Sequence, residues 1–147
     1  MEMNQLNILL ADDDTDDCLF FKDAVKELSQ TTQLTAVHDG EQLMNYLFEN
    51  SENLPNVLFL DLNMPRKNGL ECLSEIKRNK KLNNLPVVIF STSYSPDTIS
   101  ILFKIGAHVY IHKPNDFDKL KQVIQHGITM AGERIFRKNQ IKYILNA

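Results

Sequence analysis

Four stretches of the chain are apolar from end to end and only about one strand long: Ile8-Leu9-Leu10-Ala11, Val57-Leu58-Phe59-Leu60, Val87-Val88-Ile89-Phe90 and Val109-Tyr110-Ile111. A strand without a polar side must be covered on both faces, and the arrangement that does this is a parallel sheet held between two layers of helices. The segments between these runs are longer and place their apolar residues at helical spacing, so the chain reads as successive βα units.

The strands are expected at about Leu6–Ala11, Gln33–Val37, Val57–Leu60, Val87–Phe90 and Val109–Ile111. A first helix starts near Asp14 or Thr15, where acidic and hydroxyl side chains can cap free amides, and it turns Cys18, Phe21, Val25 and Leu28 inward. A second follows Asp39-Gly40 and ends near Asn50, and a third starts at Asn68-Gly69 with Leu70, Leu73 and Ile76 on one stripe. The fourth, from about Asp97 to Lys104, follows Ser95-Pro96, and the fifth starts near Asp116 with Phe117, Leu120 and Ile124 inward. The predicted fold is α/β: a doubly wound, five-stranded parallel sheet with five helices.

At 147 residues with 43% of them hydrophobic, the chain can bury the core of one domain. A formal charge of -3 gives no general electrostatic drive toward nucleic acid or an anionic membrane. The two cysteines, Cys18 and Cys72, lack metal-finger spacing, and no apolar run approaches the roughly 18 residues of a membrane span. These features predict a cytoplasmic protein that engages neither nucleic acid nor membrane. His38, His108, His112 and His126 share no helical face or ligand spacing and are assigned no chemistry.

What the strands end on is informative. The first strand stops on Asp12-Asp13, the third on Asp61, the fourth on Ser91 and the fifth, through His112, on Lys113. In an open α/β sheet, sites form beyond the carboxyl ends of the strands. Three carboxylates gathered there repel one another unless a cation offsets them, and hard oxygen donors select Mg²⁺ over softer metals. Mg²⁺ commonly joins carboxylates to a phosphoryl group, an ammonium such as Lys113 can pair with a phosphoryl oxygen, and an aspartate can itself accept the phosphoryl group as an acyl phosphate. Phosphoryl chemistry is the expected use of the site.

Asp12-Asp13, Asp61 with Met64-Pro65 and Gly69, Ser91-Thr92 and Lys113-Pro114, in this order and spacing, resemble the response-regulator receiver domain over roughly Asn7 to Met130. The resemblance implies the flavodoxin-like strand order 2-1-3-4-5. It implies that Asp61 accepts a phosphoryl group from a sensor histidine kinase or a histidine phosphotransfer protein, with Mg²⁺ held by Asp13, Asp61 and the backbone carbonyl of Asn63, and by Asp12 through water. Ser91 and Lys113 then bind the phosphoryl group, and Ser91 and Tyr110 form the switch. It also implies a cis peptide between Lys113 and Pro114. The output is expected to pass to a downstream protein, through the face made by the fourth helix, the fifth strand and the fifth helix. The protein so implied is a stand-alone binding module rather than an enzyme, with only self-catalysed phosphotransfer and slow dephosphorylation.

Two rival readings fit less well. Asp12-x-Asp14-x-Asp16 suggests a calcium loop, but such a loop requires glycine sixth and glutamate twelfth, where Asp17 and Asp23 stand. A Mg²⁺-dependent phosphohydrolase on a similar sheet is the alternative function. Its dehalogenase-like form needs threonine or valine where this chain has Asp16. Asp14, Asp16 and Asp17 are read as helix-capping acids.

The receiver domain is assigned to residues 1–131, and 132–147 are set apart as a C-terminal extension. The extension is basic yet carries Ile135, Phe136, Ile141, Tyr143, Ile144 and Leu145. It is expected to be helical, packing on its own domain or at a homodimer interface, and it is too short for a complete helix-turn-helix unit.

Overall fold

The computed structural model describes residues 5–92, 95–107, 109–132 and, in backbone, 143–146. The elements run β1 (Leu6–Ala11), α1 (Thr15–Lys26), β2 (Thr32–Val37), α2 (Gly40–Glu49), β3 (Val57–Leu60), α3 (Gly69–Arg78), β4 (Val87–Ser91), α4 (Pro96–Ile105), β5 (Val109–His112), α5 (Phe117–Gly132) and β6 (Tyr143–Asn146). The sheet is parallel throughout, in the order β2-β1-β3-β4-β5-β6. Its first five strands have the expected 2-1-3-4-5 order.

Alternate residues of each central strand enter opposite cores. Leu9, Leu58, Leu60 and Ile89 pack with Leu43 and Leu47 of α2, Leu73 and Ile76 of α3, and Leu102 of α4. Ile8, Phe59, Phe90 and Ile111 pack with Phe21 and Val25 of α1 and Leu120 and Ile124 of α5. Phe21, Phe59 and Phe90 meet edge to face, with centroids 5.1 to 6.1 Å apart. This two-sided burial explains why β1, β3 and β4 carry almost no polar residue.

Each helix start matches its sequence signal. Asp14 accepts from the Asp17 amide, Asp39 from the Gln42 amide, and Asn68 forms a full capping box with Glu71. Ser95 caps α4, with Pro96 in the first turn.

The C-terminal extension differs from expectation. Tyr143–Asn146 is not helix but a sixth strand, parallel to β5 with Val109 opposite Tyr143 and His112 opposite Asn146. The physical reason is the exposed edge of β5, whose unpaired backbone groups accept a strand, and Tyr-Ile-Leu is a good strand sequence. The sheet therefore has six strands rather than five. Residues 133–142, which hold the remaining apolar and basic side chains of the extension, lie outside the described residues, as does His108.

Candidate functional site at the carboxyl ends of the strands

Backbone hydrogen bonds bring the strand ends into one place. The Asp12 amide donates to the Val37 carbonyl, Asp61 to Ala11 and Lys113 to Ser91, each at 3.0 Å. One carboxylate oxygen from each of Asp12, Asp13 and Asp61 lies within 4.8 Å of the others. Asp12 is 1% exposed and Asp61 5%, whereas Asp13 faces solvent. Three hard oxygen donors with one open side match the demands of a hydrated Mg²⁺ ion, which keeps several of its waters.

Two glycines shape the rim. Gly69 donates its amide to the Leu62 carbonyl at 2.9 Å, and a Cβ at this position would stand 2.3 Å from the Asp61 carbonyl oxygen. Only glycine lets α3 begin this close behind Asp61. Gly40 likewise opens α2 directly beneath the loop after β3, where a Cβ would come within 1.9 Å of the Lys67 carbonyl oxygen. Arg66, at φ 69°, turns this loop and reaches Asp39 at 3.5 Å, while Lys67 pairs with Glu75.

Lys113 closes the site. Its Nζ lies 2.7 Å from Asp12 Oδ2, 2.9 Å from Asp17 Oδ2 and 3.5 Å from Asp61 Oδ2, and 5.7 Å above the centre of the Phe90 ring. Burial works against the ammonium, but the hydrogen bonds to Asp12 and Asp17 outweigh it and hold Lys113 charged beyond the usual lysine range. Asp12 is pushed up to about 6 because burial outweighs the hydrogen bonds from Lys113 and from the Asp14 amide. The Lys113–Pro114 peptide is trans, correcting the expected cis bond. The lysine reaches the pocket all the same: its amide is tied to Ser91 at the end of β4 and its ammonium lies above the Phe90 ring.

The remaining predicted residues lie nearby. Ser91 is fully buried at the end of β4, and Tyr110, on β5, is buried at 1% exposure. The Asn63 amide approaches Asp61 Oδ1 at 3.4 Å. Two side chains take part that sequence reasoning left out. Asp17, read as a helix-capping acid, binds Lys113. His38 places Nδ1 3.1 Å from the Asp12 carbonyl oxygen, a contact that requires the proton on Nδ1. Asp17 stands at the third position of α1, where an acid is already explained by the positive end of the helix, so the sequence carried no separate signal for its contact with Lys113.

The model of the response regulator receiver domain matches residues 8–125. The chain belongs to this receiver family. Among its relatives, this receiver is 32% identical over 123 residues to response regulator Rcp1 of Synechocystis sp., covering 80% of this chain and 83% of that protein. It is 31% identical over 121 residues to the probable methanogenesis regulatory protein FilR2 of Methanothrix harundinacea, covering 80% and 78%. Among solved structures, the receiver superposes on the Mn²⁺-bound form of Rcp1 with a TM-score of 0.74, at 30% identity over 82% of this chain and 90% of that one. The phosphorylated cyanobacterial phytochrome response regulator RcpA gives a TM-score of 0.76, at 31% identity over 84% and 91%. The receiver is thus a phosphorylation-activated module of two-component signalling, a class whose phosphoryl donors are kinases or phosphotransfer proteins. The phosphohydrolase alternative gains no support from these matches.

Proposed function

We propose that Asp61 is the phosphoacceptor of this receiver and that Asp12, Asp13, Asp61 and the Asn63 backbone hold Mg²⁺ beside it. The observation that carries the reading is the place of the Asp61 carboxylate, buried at the end of β3 between two further carboxylates and the Lys113 ammonium. An Asp61 oxygen attacks the phosphorus of a phosphohistidine on a sensor histidine kinase or histidine phosphotransfer protein. The new O–P bond forms as the N–P bond breaks, and the imidazole leaves with the electron pair. Bound Mg²⁺ supplies neutralising charge to the phosphoryl oxygens. Lys113 pairs with one phosphoryl oxygen and Ser91 donates a hydrogen bond to another.

Phosphorylation adds roughly 1.5 to 2 negative charges and three acceptor oxygens. Ser91 and Tyr110 respond as the switch, and because they lie buried on β4 and β5, their repacking is transmitted to α4 and the edge that β6 covers. The phosphorylated conformation is selected from a pre-existing equilibrium and binds a downstream protein or a second copy of the chain. Residues 1–131 carry this function, with 132–147 as a C-terminal extension of which Tyr143–Asn146 joins the sheet as β6, and the protein acts in the cytoplasm as a binding module rather than as a catalyst of metabolism.

Incubation with acetyl phosphate and Mg²⁺, followed by hydroxylamine, tests the chemistry. An acyl phosphate on Asp61 is formed to near stoichiometry and released by hydroxylamine. A hydroxylamine-stable label, as expected of a phosphoserine at Ser91, contradicts the reading.

A further inference from the structure

The Lys113 ammonium has three hydrogen bonds to give. Asp12 takes one at 2.7 Å and Asp17 another at 2.9 Å, while Asp61 stands at 3.5 Å. Asp12 and Asp61 are also two of the acids that surround the proposed cation site, so their claim on Lys113 weakens when another cation enters. Asp17 lies outside that group. Its backbone amide is satisfied by Asp14, which leaves the carboxylate free to face inward, and its side chain is 41% exposed, at the edge of a small pocket bordered by Phe20, Phe90, Thr92 and Lys113.

We propose that Asp17 is a positioning residue for phosphotransfer: by taking one Lys113 hydrogen bond from outside the cation site, it shares the ammonium with Asp12 and keeps it 3.5 Å from Asp61, short of a hydrogen bond to the nucleophile. This rests on Asp61 being the phosphoacceptor. With Asp17 present, the ammonium has an anchor on α1 and one unused N–H for an incoming phosphoryl oxygen. With Asp17 replaced by asparagine, only carboxylates inside the site compete for the ammonium. The hydrogen bond released by Asp17 then turns to Asp61, which joins Asp12 in holding the ammonium, shielding the nucleophile and opposing cation entry. An acid whose sole role was to complement the positive end of α1 would act independently of Lys113.

A double-mutant cycle separates these roles. Initial rates of phosphorylation by acetyl phosphate and the Mg²⁺ midpoint for thermal stabilisation, measured without phosphodonor, are compared for wild type, Asp17→Asn, Lys113→Gln and the double variant. Asp17→Asn is expected to slow phosphorylation about tenfold and raise the Mg²⁺ midpoint at least about threefold, with both effects falling below about twofold when Lys113 is already glutamine. Asp17→Glu, which restores the charge, is expected to recover most of the rate. Wild-type behaviour of Asp17→Asn, or equal losses in both backgrounds, overturns the proposal. If the wild type is labelled on Asp61 in those cases, only the role of Asp17 is lost; if label persists in Asp61→Asn at wild-type yield, the phosphoacceptor assignment itself fails.

Discussion

Lys113 Nζ lies 2.7 Å from Asp12 Oδ2, an ion pair that joins the ends of β1 and β5 across the intervening β3 and β4. Both side chains are buried, so removing one partner strands the other in a low dielectric. Lys113→Met is expected to cost about 3 kcal/mol of stability near neutral pH without divalent cation. Asp12 gives this loss a pH dependence. Burial holds it at about 6, above the ordinary carboxylate value of 3.8, and without Lys113 it takes up its proton at a still higher pH. Acidification from neutral pH through about 6 therefore neutralises Asp12 and relieves the variant. Urea melts near pH 7 and pH 5 check this: the gap between variant and wild type narrows at the lower pH.

Asp13 is the exposed member of the acidic group, and its carboxylate touches no ammonium among the described ion pairs. It is therefore the acid whose loss disturbs the apo fold least. Mg²⁺ at a hundredfold excess over its dissociation constant is expected to stabilise the wild type by about 2.7 kcal/mol, reversed by chelator. Asp13→Asn keeps the melting temperature of the cation-free protein and loses most of this Mg²⁺-dependent gain. Thermal melts with and without Mg²⁺ provide the comparison.

Gly69 supports Asp61 from behind through a contact that no side chain can share. Gly69→Ala forces the start of α3 away from the end of β3 and is expected to cost about 2 kcal/mol, with slower phosphorylation as Asp61 moves. Gly132→Ala, at a position where no described residue comes within 4 Å of an added Cβ, serves as the control and leaves both properties unchanged. Denaturant midpoints and phosphorylation rates read the two variants.

The sheet and its site were legible because two independent signals coincided: apolar runs with no polar side, and reactive residues at their carboxyl ends. Asp12, Asp61 and Lys113 could be placed together before any contact was known, since parallel strands must deliver their ends to one edge. Asp17 was not legible in that way. An acid in the first turn of a helix has a sufficient local explanation, and its tie to Lys113 spans a sequence separation of 96 residues. β6 escaped for a related reason. Tyr143 to Asn146 is short and follows a helix, so its apolar residues suggested helix packing, whereas the open edge of β5 determined the outcome. Lys113 reaches its partners across a trans bond to Pro114, through its place at the end of β5 and with its ammonium above Phe90.

The central claim is that Asp61 alone accepts the phosphoryl group, and intact-protein and peptide mass spectrometry after incubation with acetyl phosphate and Mg²⁺ tests it most directly. The account predicts a single phosphoryl group on the wild type, located on the peptide containing Asp61, and none on an Asp61→Asn variant that retains the wild-type circular dichroism. Stable labelling of that folded variant at wild-type yield would contradict it.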